Sequence, residues 1–271
     1  MSERGEPGTV SVTTRRGVAA QVHVRGGDRD ATPLVWLHGA SGLLPYEPLL
    51  DRLAERRPVL APEWPGFGDE PTEGALRDML DFALHGWDLV EALGLGERRP
   101  HVAGHSMGGM IAAEMAALNP RGLDRLVLVD AAGLWLDDHP IPDIFAMLPF
   151  ELAEVLFADP ATGERILAGG VDFRDDAALT AFLVTNARRL GTAGKILFPI
   201  PNRRLADRLY RVTNPTLVLW GAADRLTDPR YADHFAELIE DATVALVEGA
   251  GHMLPHEQPD RAAALLADFL G

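Results

Sequence analysis

Residues 101–109 read His-Val-Ala-Gly-His-Ser-Met-Gly-Gly. The apolar run His101-Val102-Ala103 has the composition of a short buried strand, and Met107–Leu118 has the composition of a helix. Ser106 falls on the turn between them. A side chain on such a turn is lifted clear of the sheet only if the backbone bends tightly. Gly104 and Gly108, two places to either side, leave the room for that bend. The free N–H groups of the following helix then point at the site where negative charge would develop. The chain has only four serines, Ser2, Ser11, Ser41 and Ser106, and glycine fills 27 of 271 positions. A chance Gly-X-Ser-X-Gly in so few trials is rare, which singles out Ser106 as a nucleophile.

Working outward, short apolar runs recur at Thr9–Thr13, Val18–Val24, Leu34–Leu37, Pro58–Ala61, Leu123–Val129, Thr216–Trp220 and Thr243–Val247. Helical periodicity fills the gaps at Pro45–Ala54, Ala75–Leu93, Met107–Leu118 and Arg261–Leu270. Alternating strands and helices imply parallel pairing with helices on both faces of the sheet. The runs from Leu34 onward lack alternation, and Leu126–Val129 and Thr216–Trp220 are apolar throughout, as central parallel strands are. The first two alternate, are separated by Thr14-Arg15-Arg16-Gly17, and are expected to form an edge hairpin.

One stretch breaks this rhythm. From about Gly133 to Arg211 there is no strand pattern. Helical segments near Asp143–Phe157, Asp175–Arg189 and Arg203–Val212 are cut by six prolines. The expected organisation is a core of residues 1–133 and 213–271 with a helical cap, residues 134–212, inserted in its second half.

Composition narrows the chemistry. A hydrophobic fraction of 47% and a charged fraction of 24% are those of an ordinary soluble domain. The net charge of −15 repels phosphate backbones and anionic lipid heads, which argues against nucleic acid and membrane partners. With no cysteine, thiolate nucleophiles, thiolate metal sites and disulfides are excluded. The N-terminal residues carry acids and a proline in place of an apolar run, and no stretch approaches the length of a membrane span. A cytoplasmic protein acting on a small molecule is the expectation.

A serine hydroxyl needs a base within hydrogen-bond reach, and the base needs an orienting partner. Of nine histidines, His252 alone sits in a small-residue loop, Glu248-Gly249-Ala250-Gly251, between the last apolar run and the last helix. His256 follows four residues later, but Pro255 argues against a helical pair of metal ligands, and no metal or cofactor is expected. Two acids end strands at the carboxyl edge of the sheet, where open α/β sheets place their sites. Asp224 has a glycine-bearing loop that gives it reach; Asp130 is the alternative, with a bracing role more natural to it. Donors for an oxyanion are expected from the backbone N–H of Met107 and of Ala40, in the loop after Leu34–Leu37. In that loop His38 reads as a residue that fixes the backbone, and Ser41 could add a hydroxyl. Trp135, Met147, Leu148 and Phe150 are candidate pocket residues in the cap.

These residues resemble the α/β-hydrolase superfamily, in its branch of small cap-bearing bacterial serine hydrolases. The resemblance runs through His38-Gly39, Pro65-Gly66-Phe67-Gly68, Gly104–Gly109, Gly221–Asp224 and Gly251-His252. It implies the order Ser106, Asp224, His252 for nucleophile, acid and base. Members of this type include esterases, lactonases, C–C bond hydrolases, dehalogenases, epoxide hydrolases and perhydrolases. Dehalogenases and epoxide hydrolases carry Asp where this chain has Ser106. Ring-cleavage C–C hydrolases usually carry Gly-Pro-Gly after the oxyanion His-Gly, where this chain has Ala40-Ser41-Gly42-Leu43, and Glu63 replaces an Asp usual in the family. The resemblance implies hydrolysis of a carboxylic ester or lactone. Hydrolysis of a β-diketone-like C–C bond by the same three residues is the alternative, and a small-molecule receptor with a retained triad is the non-enzymatic one.

Overall fold

A computed structural model of the chain describes residues 8–26, 30–68, 74–198 and 203–271, without the side chains of 149 and 150. In chain order the elements are β1 (Gly8–Thr13), β2 (Ala19–Arg25), β3 (Leu34–Leu37), α1 (Pro48–Leu53), β4 (Val59–Pro62), α2 (Met79–Ala92), β5 (His101–His105), α3 (Met107–Leu118) and β6 (Leu126–Val129). Then follow α4 (Pro149–Leu156), α5 (Pro160–Ala168), α6 (Asp176–Leu197), β7 (Thr216–Gly221), α7 (Arg230–Leu238), β8 (Ala242–Val247), α8 (Leu254–Glu257) and α9 (Pro259–Leu270).

The eight strands form one sheet in the order β1-β2-β4-β3-β5-β6-β7-β8. Only β2 runs against its neighbours; all pairings from β4 to β8 are parallel. The edge hairpin β1–β2 turns through Thr14–Gly17, where Gly17 takes φ +76° and its N–H donates to Thr14 O at 2.8 Å.

Strand side chains alternate between two layers, which is why the central strands are apolar throughout. Leu34 and Trp36 of β3, with Val127 and Val129 of β6, pack on Leu49, Leu50 and Leu53 of α1 and on Ala262, Leu266 and Leu270 of α9. Val35 and Leu37, with Leu126 and Leu128, pack on the other face against Phe82 and Leu89 of α2, Met110 and Ile111 of α3, and Phe235 of α7.

Element ends follow local chemistry. The helix expected from Ala75 starts at Met79 because Asp78 caps it, accepting Asp81 N–H at 3.0 Å. Among the described residues between β6 and β7 there is no strand. The helices there differ in length from the expectation. The segment near Asp143–Phe157 is helical only as α4, because Pro149 fits the first helical turn. α5 was not expected, although Asp159 as cap, Pro160 behind it and Gly169 in the left-handed region mark its ends. α6 runs to Leu197, past Arg189, burying Thr192, Ala193 and Ile196. Arg203–Val212 is not a helix but two 3-10 turns, Leu205–Asp207 and Leu209–Arg211, entered through Arg204 at φ +62°. Among the described residues no helix is long and apolar enough to cross a membrane.

Candidate active site

Ser106 leaves β5 and opens α3 with φ +54° and ψ −116°, a conformation that non-glycine residues rarely adopt. Three backbone bonds hold it there. Ser106 N–H donates to Val129 O at 2.9 Å, and Ser106 O accepts from Met110 and Ala132 N–H, each at 3.1 Å. The turn is so tight that a Cβ on Gly104 would collide with Gly108 O, and one on Gly108 with Leu37 O.

The sheet's carboxyl edge brings three distant segments to one point. His252 Nε2 lies 2.8 Å from Ser106 Oγ, and His252 Nδ1 lies 2.8 Å from Asp224 Oδ2. All three side chains are buried. With Nδ1–H donating to the carboxylate, Nε2 is left as acceptor for the Ser106 hydroxyl. Asp224 is held in turn: its Oδ1 accepts Leu226 N–H at 2.8 Å and Thr227 N–H at 2.9 Å, and its Oδ2 accepts the Thr227 hydroxyl at 2.7 Å. Asp130, the other acid at this edge, takes φ +45° and points elsewhere. Its Oδ1 accepts Gly221 N–H at 2.7 Å, and burial, then the nearby Asp224 carboxylate, push its pKa well above the ordinary value.

The loop that carries His252 is tied down on two sides. His105, kept neutral by burial, donates from Nε2 to His252 O at 2.7 Å. Glu257 accepts Gly251 N–H at 2.7 Å and Ala158 N–H at 2.8 Å. Met253 N–H donates to Leu156 O at 2.9 Å, and the Arg225 guanidinium donates to Phe157 O. The end of α4 is thereby fastened to the loops carrying Asp224 and His252.

The loop after β3 lies against Ser106. A Cβ on Gly39 would stand 3.3 Å from Ser106 Cβ. His38 fixes this loop: its Nδ1 donates to Gly39 O at 2.8 Å and its Nε2 accepts Trp64 N–H at 3.2 Å. Burial lowers its pKa to about 3, so it stays neutral in that role. Ala40 lines a cavity at Ser106. Met107, buried, has the first N–H of α3, which has no acceptor within the helix. Ser41 contributes its carbonyl to a contact that sequence reading did not find: Arg189 of α6 donates to Ser41 O at 2.9 Å and to Phe67 O at 3.2 Å.

Two cavities meet at Ser106. One is lined by Met110, Leu134, Ile141, Pro142, Ile144, Phe145, Ile196 and Leu226. The other passes His38–Gly42, Leu152, Leu156, Leu190, His252 and Met253 to Glu47 and His256. Of the expected pocket residues, Trp135, Met147 and Leu148 line neither. The Trp135 indole donates to Asp137 at 2.9 Å, and Leu148 stands 55% exposed. Tyr231 is the cause: its hydroxyl accepts Leu136 N–H at 2.9 Å and donates to His139 O at 2.8 Å. That pins the segment, and Leu134, Ile141, Pro142, Ile144 and Phe145 line the first cavity. The Phe150 side chain lies outside the described residues.

Comparison with known proteins agrees with this fold. The model of the Alpha/beta hydrolase family matches residues 34–265. Lipase 1 of Psychrobacter immobilis is 26% identical over 89% of this chain and 78% of its own length. Human monoacylglycerol lipase ABHD6 is 28% identical over 73% of this chain, which spans 64% of that protein. Among solved structures, a bacterial membrane phospholipase A superposes with a TM-score of 0.78 at 25% identity, over 97% of this chain and 86% of that one. A meta-cleavage product hydrolase of Pseudomonas fluorescens gives 0.75 at 22% identity over 98% and 97%, a likeness of fold. With a family model that covers most of the chain, this protein belongs to the alpha/beta hydrolase family.

Proposed function

We propose that the chain is a serine hydrolase of carboxylic esters working through an acyl-enzyme on Ser106, with residues 134–212 as a cap over the site. The observation that carries this reading is the buried chain of two 2.8 Å bonds from Ser106 through His252 to Asp224. The lipase names of relatives such as that of Psychrobacter immobilis support the substrate class.

In the first half-reaction His252 Nε2 takes the Ser106 proton as Oγ attacks the ester carbonyl. The oxyanion is held by the N–H groups of Met107 and Ala40. Asp224 keeps Nδ1–H in place and stabilises the imidazolium. His252 then gives the proton to the leaving alcohol oxygen as the C–O bond breaks. Water enters, loses a proton to the same nitrogen, and attacks the acyl-enzyme; collapse returns the proton to Ser106 and releases the acid. The mostly apolar cavity of Met110, Leu134, Ile141, Ile144 and Phe145 suits the acyl chain.

The test is hydrolysis of p-nitrophenyl esters from acetate to decanoate by the wild type and by Ser106→Ala. Turnover that peaks at one chain length and disappears in the variant supports the reading. Turnover that survives in the variant contradicts it. Turnover of a β-diketone with none of any ester would reassign the bond cleaved.

A further inference from the structure

The two cavities at Ser106 differ in chemistry. The acyl-side cavity is mostly apolar, with Thr227 and Arg203 also on its wall. The other reaches two side chains that the hydrolytic mechanism does not use, Glu47 and His256. Glu47 precedes α1, and its Oε1 accepts Leu44 N–H at 2.7 Å. Its Oε2 faces His256 Nε2 at 3.5 Å, with the two side chains only 6% and 7% exposed. That separation is too long for a good N–H···O bond. Neither imidazole nitrogen of His256 has a hydrogen-bond partner in good geometry among the described residues.

A buried pair that served only packing would be closed. Glu257, close by in sequence, shows the closed form, with each oxygen taken by a backbone N–H. Glu47 Oε2 and His256 Nε2 instead face each other across 3.5 Å on the wall of a cavity that leads to Ser106. Burial drives Glu47 up to about 7 and, against the pull of the Tyr46 backbone, His256 down to about 4. The imidazole is therefore neutral at neutral pH, with one N–H to give and one lone pair to accept. A hydroxyl beside the pair can satisfy both, because it donates to one partner and accepts from the other. An anion would meet the Glu47 carboxyl.

His252 decides which part of an ester lies here. The leaving oxygen must sit beside the nitrogen that protonates it, and His252 lines this cavity and not the apolar one. We propose that Glu47 and His256 form a hydroxyl-binding subsite for the leaving alcohol, so that the preferred substrates are esters of an apolar acid with an alcohol carrying a second hydroxyl. This rests on the ester-hydrolase reading above.

The experiment compares matched pairs: ω-hydroxyalkyl butanoates against n-alkyl butanoates in which methyl replaces the hydroxyl, from ethyl to hexyl spacing. The readout is the ratio of kcat/KM within each pair, for the wild type, Glu47→Gln and His256→Phe. The ratio is internal to each enzyme, so a general loss of active protein cancels. The wild type should favour the hydroxyl member at one spacing on the order of tenfold, the cost of leaving buried polar groups unpaired. His256→Phe should bring that ratio close to one. The same diols and alkanols titrated calorimetrically against Ser106→Ala report the subsite without turnover. An inactive wild type that still prefers the diol would contradict the ester reading and keep the subsite. No spacing with a hydroxyl preference, a preference unchanged in both variants, or a stronger preference for ω-ammonium esters overturns the proposal.

Discussion

Asp130 Oδ1 accepts the amide hydrogen of Gly221 at 2.7 Å, which fixes this acid at the root of the loop that carries Asp224. Two carboxyl groups thus end neighbouring strands, β6 and β7, with separate duties. Asp130 joins the strand ends, and Asp224 alone reaches His252. Burial and the Asp224 charge push Asp130 toward its neutral form. An amide can supply the same acceptor to Gly221. Asp130→Asn is therefore expected to keep kcat within a few-fold of wild type, whereas Asp224→Asn loses about 10⁴-fold by presenting the wrong partner to Nδ1. Steady-state kinetics on one p-nitrophenyl ester compares the two; equal losses would contradict the division of labour.

Thr227 completes the acid. Its hydroxyl donates to Asp224 Oδ2 at 2.7 Å and lies 3.2 Å from His252 Nδ1. Thr227→Val keeps the shape and removes one of the bonds that hold the carboxylate on line. A fall in kcat of about tenfold with KM little changed is expected, one charge-assisted hydrogen bond being worth about 1.5–3 kcal/mol at most. An unchanged kcat would make Thr227 a packing residue.

Arg189 links α6 to the loop that holds Ala40, through Ser41 O and Phe67 O. Lys195, further along the same helix, donates instead to Leu76 O at 2.9 Å, away from the site. Arg189→Met is expected to lower kcat by about tenfold through a loosened oxyanion loop, and Lys195→Met to change it less than about twofold. Equal effects would show that α6 acts only as a whole.

Stability should fall with acid. Burial lowers His38 to about 3, and His85, His101 and His256 to about 4, against an ordinary value of 6.5. A histidine lowered on folding contributes stability that is complete above 6.5 and is lost as the pH falls toward its folded value, because the unfolded chain binds the proton first. Glu47, raised from 4.5 to about 7, acts oppositely over that interval, as do Asp130 and Glu257, which are raised as well. With His105, also lowered, five histidines stand against these three acids. The melting temperature is expected to drop between pH 7 and 5. His85 sits in α2 beside Trp64, ring centroids 5.8 Å apart, and its two nitrogens have no partner among the described residues. His85→Leu should flatten the decline, which calorimetry across this range reads directly; a steeper decline would contradict the assignment.

The sheet and the turn at Ser106 were legible because their signals are local. Leu126–Val129 is apolar on both faces, and the Gly104–Gly108 spacing is imposed by backbone contacts within one turn. Ser106, His252 and Asp224 were legible because each follows or precedes an apolar run on a small-residue loop. The apolar cavity was not. Which of Trp135, Leu134 or Ile144 turns inward depends on Tyr231, a residue far along the chain that grips the segment through Leu136 and His139. Thr227 and Arg189 were missed because their partners are a carboxylate and a loop brought near only by folding. Thr227 left one clue, its place three residues after Asp224.

The central claim is that Ser106 is the nucleophile. Intact-mass spectrometry after treatment with a fluorophosphonate tests it without knowledge of the natural substrate. A single adduct is predicted, on the peptide containing Ser106, formed much more slowly in His252→Gln and absent from Ser106→Ala. No adduct on the folded wild type, or an adduct that persists in Ser106→Ala, would contradict the account.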